Sequence, residues 1–302
     1  MTSGQDTWSA RCAETCTSGA VGGPGKPTVS NHGRAPRSDP TVDSEGGHGL
    51  LGQAEGRAAA DATAWLAARD QAWLDGITHV TIDMSTVFTS AVRQALPNAA
   101  LAVDPFHVSQ LANKAVGDVR RRVTDEAHGR RGRAADPEYT IRNLLLRGAE
   151  KLSEKARGKL LCTLSTLGDP GRQLTAVWKA KELLRDVLKL SPTRTGLATC
   201  RSQVGAALEK FFDYCGTVGA TVPEVVTLTE TVSAWREEIA TAVLTGYSNA
   251  AAEGVNRLVK LVYRTAFGLT NVANQQRRSR YAASRSTRPQ WLHPVTADAH
   301  KK

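Results

Sequence analysis

No run of about 18 apolar residues occurs in the 302-residue chain, which excludes a membrane-spanning helix. The N-terminal region has no basic stretch followed by an apolar one, so no secretory signal is expected. Aromatic residues make up only 5% of the chain, and few lie among its basic clusters, which argues against a platform for stacking single-stranded bases. Cysteines are few and scattered (Cys12, Cys16, Cys162, Cys200, Cys215), an odd set that does not suit a disulfide framework. A reducing cytoplasm is therefore the expected location. Cys12 and Cys16 lack a second pair of cysteines or histidines at zinc-ligand spacing.

Acids are scarce at the C-terminal end. From Val255 to Lys302 a single acid, Asp298, stands against ten lysines and arginines, which nearly accounts for the net charge of +10. A second basic run is Arg120-Arg121-Arg122, followed by Arg130, Arg131 and Arg133. Such clusters release counterions from phosphates and give salt-dependent, sequence-blind affinity for nucleic acid. With stacking disfavoured, contact with a duplex backbone is the expectation. The competing reading is a solvated tail that only keeps the protein in solution.

The hydrophobic content of 41% is enough for a sizeable core. Residues 1–57 hold 11 of the 26 glycines together with Pro24, Pro27, Pro36 and Pro40, and show no apolar periodicity. That composition predicts a disordered leader. Order is expected from about residue 58. A helix over 58–75 would place Trp65, Leu66, Ala72 and Trp73 on one face. The β-branched run HVTIDMS predicts a buried strand ending at Asp83, followed by a helix over 86–96 capped by Ser85. A second short strand, AALAV, ends at Asp104. Helix, strand, helix, strand with short links predicts a parallel βαβ unit. Both aspartates would then lie at strand C-termini, where open α/β sheets bind ligands.

From Pro105 the pattern turns helical, with helices predicted near 105–127, 138–166, 173–189, 197–215 and 223–244. A last helix, capped by Ser248 or Asn249, runs to about Ala266, and beyond Asn274 the chain is expected to fray. The fold class is thus α/β and mostly helical. Its expected parts are a leader (1–57), a partial core (58–104), an all-helical segment (105–246), a helix with a basic extension (247–282) and a disordered tail (283–302).

Asp83 is costly at the end of a buried strand unless it is hydrogen-bonded or holds a cation. It also reads as a cap for the next helix. Asp104 before Pro105 is a standard helix start, and His107 one turn on is either a ligand or a structural histidine. In the last helix Asn249, Glu253, Asn256 and Lys260 follow at spacings that share a face. This is either a solvated surface with a Glu253–Arg257 pair or a carboxylate set among phosphate-binding groups. Taken together, carboxylates on separate elements beside basic residues suit divalent-cation chemistry on phosphodiesters.

The runs VTIDMSTVFTSAVRQALPNAALAVDPFHV and YSNAAAEGVNRLVKLVYRTAFGLTN resemble the transposases of the ISL-three group of bacterial insertion sequences. The similarity spans roughly residues 58–282. It implies a DDE-class enzyme with an RNase H-like core, an all-helical insertion before the final Glu, and two Mg²⁺ ions for DNA strand cleavage and transfer at transposon ends. By the same resemblance Asp83 is the second acid of the triad and Glu253 the last, both metal ligands, while Asp104 and His107 form a secondary part of the site. Asn249, Asn256, Arg257, Lys260 and Arg264 would face DNA, with Arg277, Arg278 and Arg280 beyond them. A nucleoid-associated protein that does not enter a membrane is implied, and self-association into a homo-oligomer is left open.

Departures from the family pattern set further expectations. No strand pattern precedes residue 58 to carry the first acid, and Asp6, Asp39 and Asp43 are not assigned that role. The Cys-rich finger and helix-turn-helix of the family are also missing, Pro105 stands where a basic residue is usual, and Gln275–Gln276 stand where an aromatic is usual. The chain is therefore expected to be the C-terminal part of such a transposase behind an unrelated leader. Its RNase H-like core would be incomplete, with an exposed strand edge, and catalysis would be weak or absent. Two other readings remain: a DNA-binding fragment without catalysis, and a helical interaction protein with a basic tail.

Overall fold

A computed structural model describes residues 6–10, 38–43, 50–55, 58–266 and 271–283. The chain divides into two units, one formed by residues up to Leu101 together with those from Ser248, the other by Ala102–Tyr247. The fold is α/β and mostly helical, as the sequence predicts.

A five-stranded sheet is centred on the first unit, and it corrects the expected disordered leader at residues 6–10, 38–43 and 50–55; the rest of 1–57 lies outside the described residues. The three described segments are strands: β1 (Asp6–Ala10), β2 (Ser38–Asp43) and β3 (Leu50–Glu55). They join β4 (Ile77–Ile82) and β5 (Ala100–Val103) in the order β3-β2-β1-β4-β5. β2 runs antiparallel to both β1 and β3, whereas β1 runs parallel to β4. The edge of β4 expected to be exposed is therefore occupied by β1. Proline and glycine in these strands mask them from a composition-based reading. Pro40 sits beside a register shift between Thr41 and Val42, the kind of irregularity at which a strand accepts proline. Gly52 is buried in β3 because the Trp65 indole packs on its backbone; a Cβ there would lie 2.2 Å from the ring.

Helices α1 (Ala59–Ala67) and α2 (Gln71–Asp75) replace the single helix expected over 58–75. The chain breaks at Asp70, whose extended backbone caps α2. Leu66 is fully buried, and Trp65 and Trp73 meet edge to face at 6.1 Å. α3 (Thr86–Ala95) begins after Ser85 as expected, although that side chain makes no capping hydrogen bond, and it buries Phe88, Ala91 and Val92. α1 packs against α3. After the second unit the chain returns as α13 (Ala250–Thr265), which lies against β2, and α14 (Val272–Ala283), which lies against β3. The expected fraying beyond Asn274 is thus corrected: the chain stays helical to Ala283, with Gln275 and Ser279 buried. Residues 284–302, expected to be a disordered tail, lie outside the described residues.

From Pro105 onward the regular structure of the second unit is all helical. α4 (Pro105–His128) packs its apolar stripe, including Val108, Ala112, Val119 and Val123, against α8 (Asp169–Lys189). The segment expected as one helix over 138–166 is broken into α5 (Pro137–Thr140), α6 (Arg142–Leu146), a 3₁₀ turn at Ala149–Lys151 and α7 (Glu154–Thr166). The break is held by Lys181 of α8. Its fully buried ammonium donates to the Leu145 carbonyl at 2.5 Å and the Arg147 carbonyl at 2.7 Å, and it pairs with Glu182. These are carbonyls left without helical partners where α6 ends. α9 (Pro192–Thr195), α10 (Arg201–Val218), α11 (Pro223–Ala234) and α12 (Arg236–Thr245) complete the unit, with α10 against α8 and α11 against α4.

Candidate functional site

Asp83 follows directly on β4, whose Ile77, Val80, Thr81 and Ile82 are buried, and is itself 7% exposed. A charge so placed needs compensation. Part of it comes from across the sequence: the fully buried Asn249 donates from Nδ2 to Asp83 Oδ1 at 2.8 Å, over a separation of 166 residues. Asn249 also occupies the N-cap position of α13, and its carbonyl accepts from the amide of Glu253 at 2.8 Å. One amide side chain thus ties the end of β4 to the first turn of the helix carrying Glu253. That turn favours negative charge, since the first backbone N–H groups of a helix point toward it. Glu253 is half-buried. Hard carboxylate oxygens at a strand end and a helix start are donors that fit Mg²⁺.

The acids of the first strands are placed by backbone register. Ala10 is level with Ile82, and Asp6 pairs with Ile77 at the opposite end of β4. At about 3.3 Å per residue, six residues put the levels of Asp6 and Asp83 about 20 Å apart along the strand. Asp43 is level with Trp8, whereas Asp39, two residues beyond Thr41, lies at the same end of the sheet as Asp83 but in β2. Among the described residues, β1 therefore places no acid beside Asp83.

The other predicted residues separate by burial. Asn249 and Asn256, expected to face DNA, are buried. The stripe Asn249, Glu253, Asn256, Lys260 passes from buried to exposed along α13, and Arg257, Lys260 and Arg264 are exposed. Arg277, Arg278 and Arg280 are exposed on α14. Asp104 and His107 belong to the second unit. Asp104 caps α4 by accepting from the Phe106 amide at 3.3 Å, with Pro105 in the first turn, as the Asp-Pro pair predicts. His107 Nε2 lies 4.0 Å from Asp104 Oδ2, and its ring meets Phe106 edge to face at 5.8 Å.

The second basic run is partly spent on internal pairs. Arg122 donates to both oxygens of Glu224 at 2.7 and 3.0 Å, which holds its guanidinium well above its ordinary pKa, with Glu126 adding to the effect. Arg130 forks onto Asp136 at 2.8 and 2.9 Å, and with the Arg133 amide it holds that carboxyl well below the usual range. Nothing local in the sequence announces the Arg122–Glu224 pair or the Asn249–Asp83 bond.

A family model described as a transposase, of the DDE class and ISL3 type, matches residues 32–279. Transposases for the insertion sequence element IS1557 from two strains of Mycobacterium tuberculosis are each 27% identical to the chain over 213 residues, covering 64% of this chain and 44% of the relative. The chain thus spans under half the length of these curated relatives. No solved structure matches.

Proposed function

The chain belongs to the ISL3 family of insertion-sequence transposases, and from that premise we propose that it binds duplex DNA and carries a divalent-cation site formed by Asp83 and Glu253. The observation that carries this reading is the buried Asn249–Asp83 hydrogen bond, which anchors the Glu253 helix to the end of β4. The strand order β3-β2-β1-β4-β5, with β1 antiparallel to β2 and parallel to β4, supports an RNase H-like core. A bound Mg²⁺ would supply Lewis-acid stabilisation of charge on the phosphodiester. Asn249 acts on the site by fixing the Asp83 carboxylate. Arg257, Lys260 and Arg264 on α13, with Arg277, Arg278 and Arg280 on α14, supply positive charge for the DNA backbone. This reading rests on the first unit alone, so Asp104 and His107 keep only the proposed status of secondary residues.

Asn249→Ala is expected to weaken Mn²⁺ binding about ten- to a hundredfold, the usual effect of losing a partner that orients a ligand. Electron paramagnetic resonance of free Mn²⁺ measures it directly, and unchanged affinity would remove Asn249 from the site.

Catalysis is proposed to be weak or absent, because β1 places no third carboxylate beside Asp83 among the described residues. Incubating the chain with Mg²⁺ and transposon-end duplex tests both parts at once. The expected gel shows a DNA shift that weakens as salt rises, with no nicked product. Mg²⁺-dependent nicking would overturn the incomplete site. No shift even at low salt would overturn DNA binding and favour a protein-interaction role.

A further inference from the structure

We propose that a pocket on the second unit, between α4 and α6 and walled by Lys114, Arg120, Arg121 and Arg142, seats a backbone phosphate of duplex DNA. This rests on the reading that the protein binds DNA, and it adds a contact point outside the first unit.

The pocket has a volume of about 200 Å³. That is room for several waters, or for a phosphate with part of its hydration shell. Helical spacing builds one wall: Lys114, Gly117 and Arg121 recur every three or four residues along α4, and Arg120 adjoins them. Gly117 leaves the wall open, since a Cβ there would meet nothing nearer than the Arg121 guanidinium at 3.5 Å. Arg142 and Asn143 of α6 form the facing wall.

The charge in this pocket is not neutralised from within. Asp118 pairs with Lys114 at 2.8 Å and with Arg121, so one acid serves two bases. Neither Arg120 nor Arg142 forms an ion pair among the described residues. Both instead lie over the Tyr139 ring, Arg142 at 4.0 Å and Arg120 at 5.8 Å from its centroid, and Arg142 also donates to the Tyr139 carbonyl. One ring thus gathers two guanidiniums at the edge of a single cavity. Burial first, and then repulsion from Arg121 and Arg142, pull the Arg120 pKa below its ordinary value. Arg122 and Arg130, on the same run of sequence, each have carboxylates of their own. Attraction from Tyr139 and Glu138 offsets the repulsion at Arg120 only in part, and an anion bound between like charges so incompletely balanced lowers the remaining repulsion. Guanidiniums fork onto phosphate oxygens, and the Asn113 and Asn143 amides lining the pocket add neutral donors.

The test is duplex binding by the full chain across a salt series, followed by fluorescence anisotropy with a random-sequence duplex. The double variant Arg120→Gln/Arg142→Gln should lower the slope of log affinity against log salt by about one, the loss of a single phosphate contact. Affinity should fall to a similar extent for any duplex sequence. Gly117→Leu fills the pocket without changing charge and should weaken binding alongside it, while melting at or above the wild-type temperature. If the double variant binds with the wild-type slope, the seat is overturned while DNA binding stands. If only the charge variants weaken and Gly117→Leu binds normally, the arginines act as diffuse charge and the seat is again overturned. A melting-temperature rise with inorganic phosphate alone, with duplex binding unchanged in every variant, would assign the pocket to free phosphate instead. Failure of the wild-type chain to bind any duplex would overturn the DNA reading itself.

Discussion

Gly171→Ala is expected to destabilise the second unit by about 3 kcal/mol, the upper range for forcing an added methyl into a packed site. Gly171 is buried in the first turn of α8, where the chain has just left α7 through Gly168, whose φ of +64° is in the left-handed region. A Cβ at 171 would lie 1.9 Å from the Leu164 carbonyl oxygen and 3.0 Å from the Leu167 Cβ. The first of these is backbone inside α7 and cannot rotate away, so the corner between the helices must open. Thermal unfolding should show a drop of about 10 °C for a unit of this size. Gly158→Ala is the control, because 158 is an exposed position in α7 with nothing within 4 Å of a Cβ. That substitution should be neutral or stabilising by up to about 1 kcal/mol. Equal melting of both variants would contradict the packing described for the α7–α8 corner.

Asp83→Asn is expected to lower divalent-cation affinity by about a hundredfold or more, above the range for losing only an orienting partner. The substitution keeps the shape of the carboxylate. Its amide oxygen can still accept from Asn249 Nδ2, now at 2.8 Å from Oδ1, so the link between β4 and α13 survives. What is lost is one negative charge at a buried strand end, and with it most of the attraction for a cation. Duplex affinity should stay level or tighten slightly, since removing an acid does not remove a phosphate contact. Loss of DNA binding together with cation binding would mean that Asp83 supports the fold rather than a metal.

The sequence carried local signals well and long-range ones poorly. The Asp104-Pro105 start of α4 was legible because a helix cap is decided within three residues. So was the strand ending at Asp83, whose β-branched run is self-contained. The strands β1, β2 and β3 were not legible. Pro40 and Gly52 are read as breakers in isolation, yet in the sheet one sits at a register shift and the other lies under the Trp65 ring. The long helix expected over 138–166 failed for a related reason. Apolar periodicity continues through it, but the break is satisfied by Lys181 from another helix. At the site, position and type alone leave Asp83 readable as a helix cap and Glu253 as half of a surface ion pair, and only the family resemblance joins them. Asn249 is legible as the N-cap of α13, but its bond to Asp83 is not, because that partner lies 166 residues away.

Asp83 and Glu253 are proposed to share one cation. Titrating Mn²⁺ into the wild-type chain, Asp83→Asn, Glu253→Gln and the double variant, with free Mn²⁺ read by electron paramagnetic resonance, tests it most directly. One tight site is expected in the wild type, lost in either single variant, with the double variant no weaker than the singles, because two ligands of one ion are not additive. Independent, additive losses, or a tight site that persists in Asp83→Asn, would contradict it.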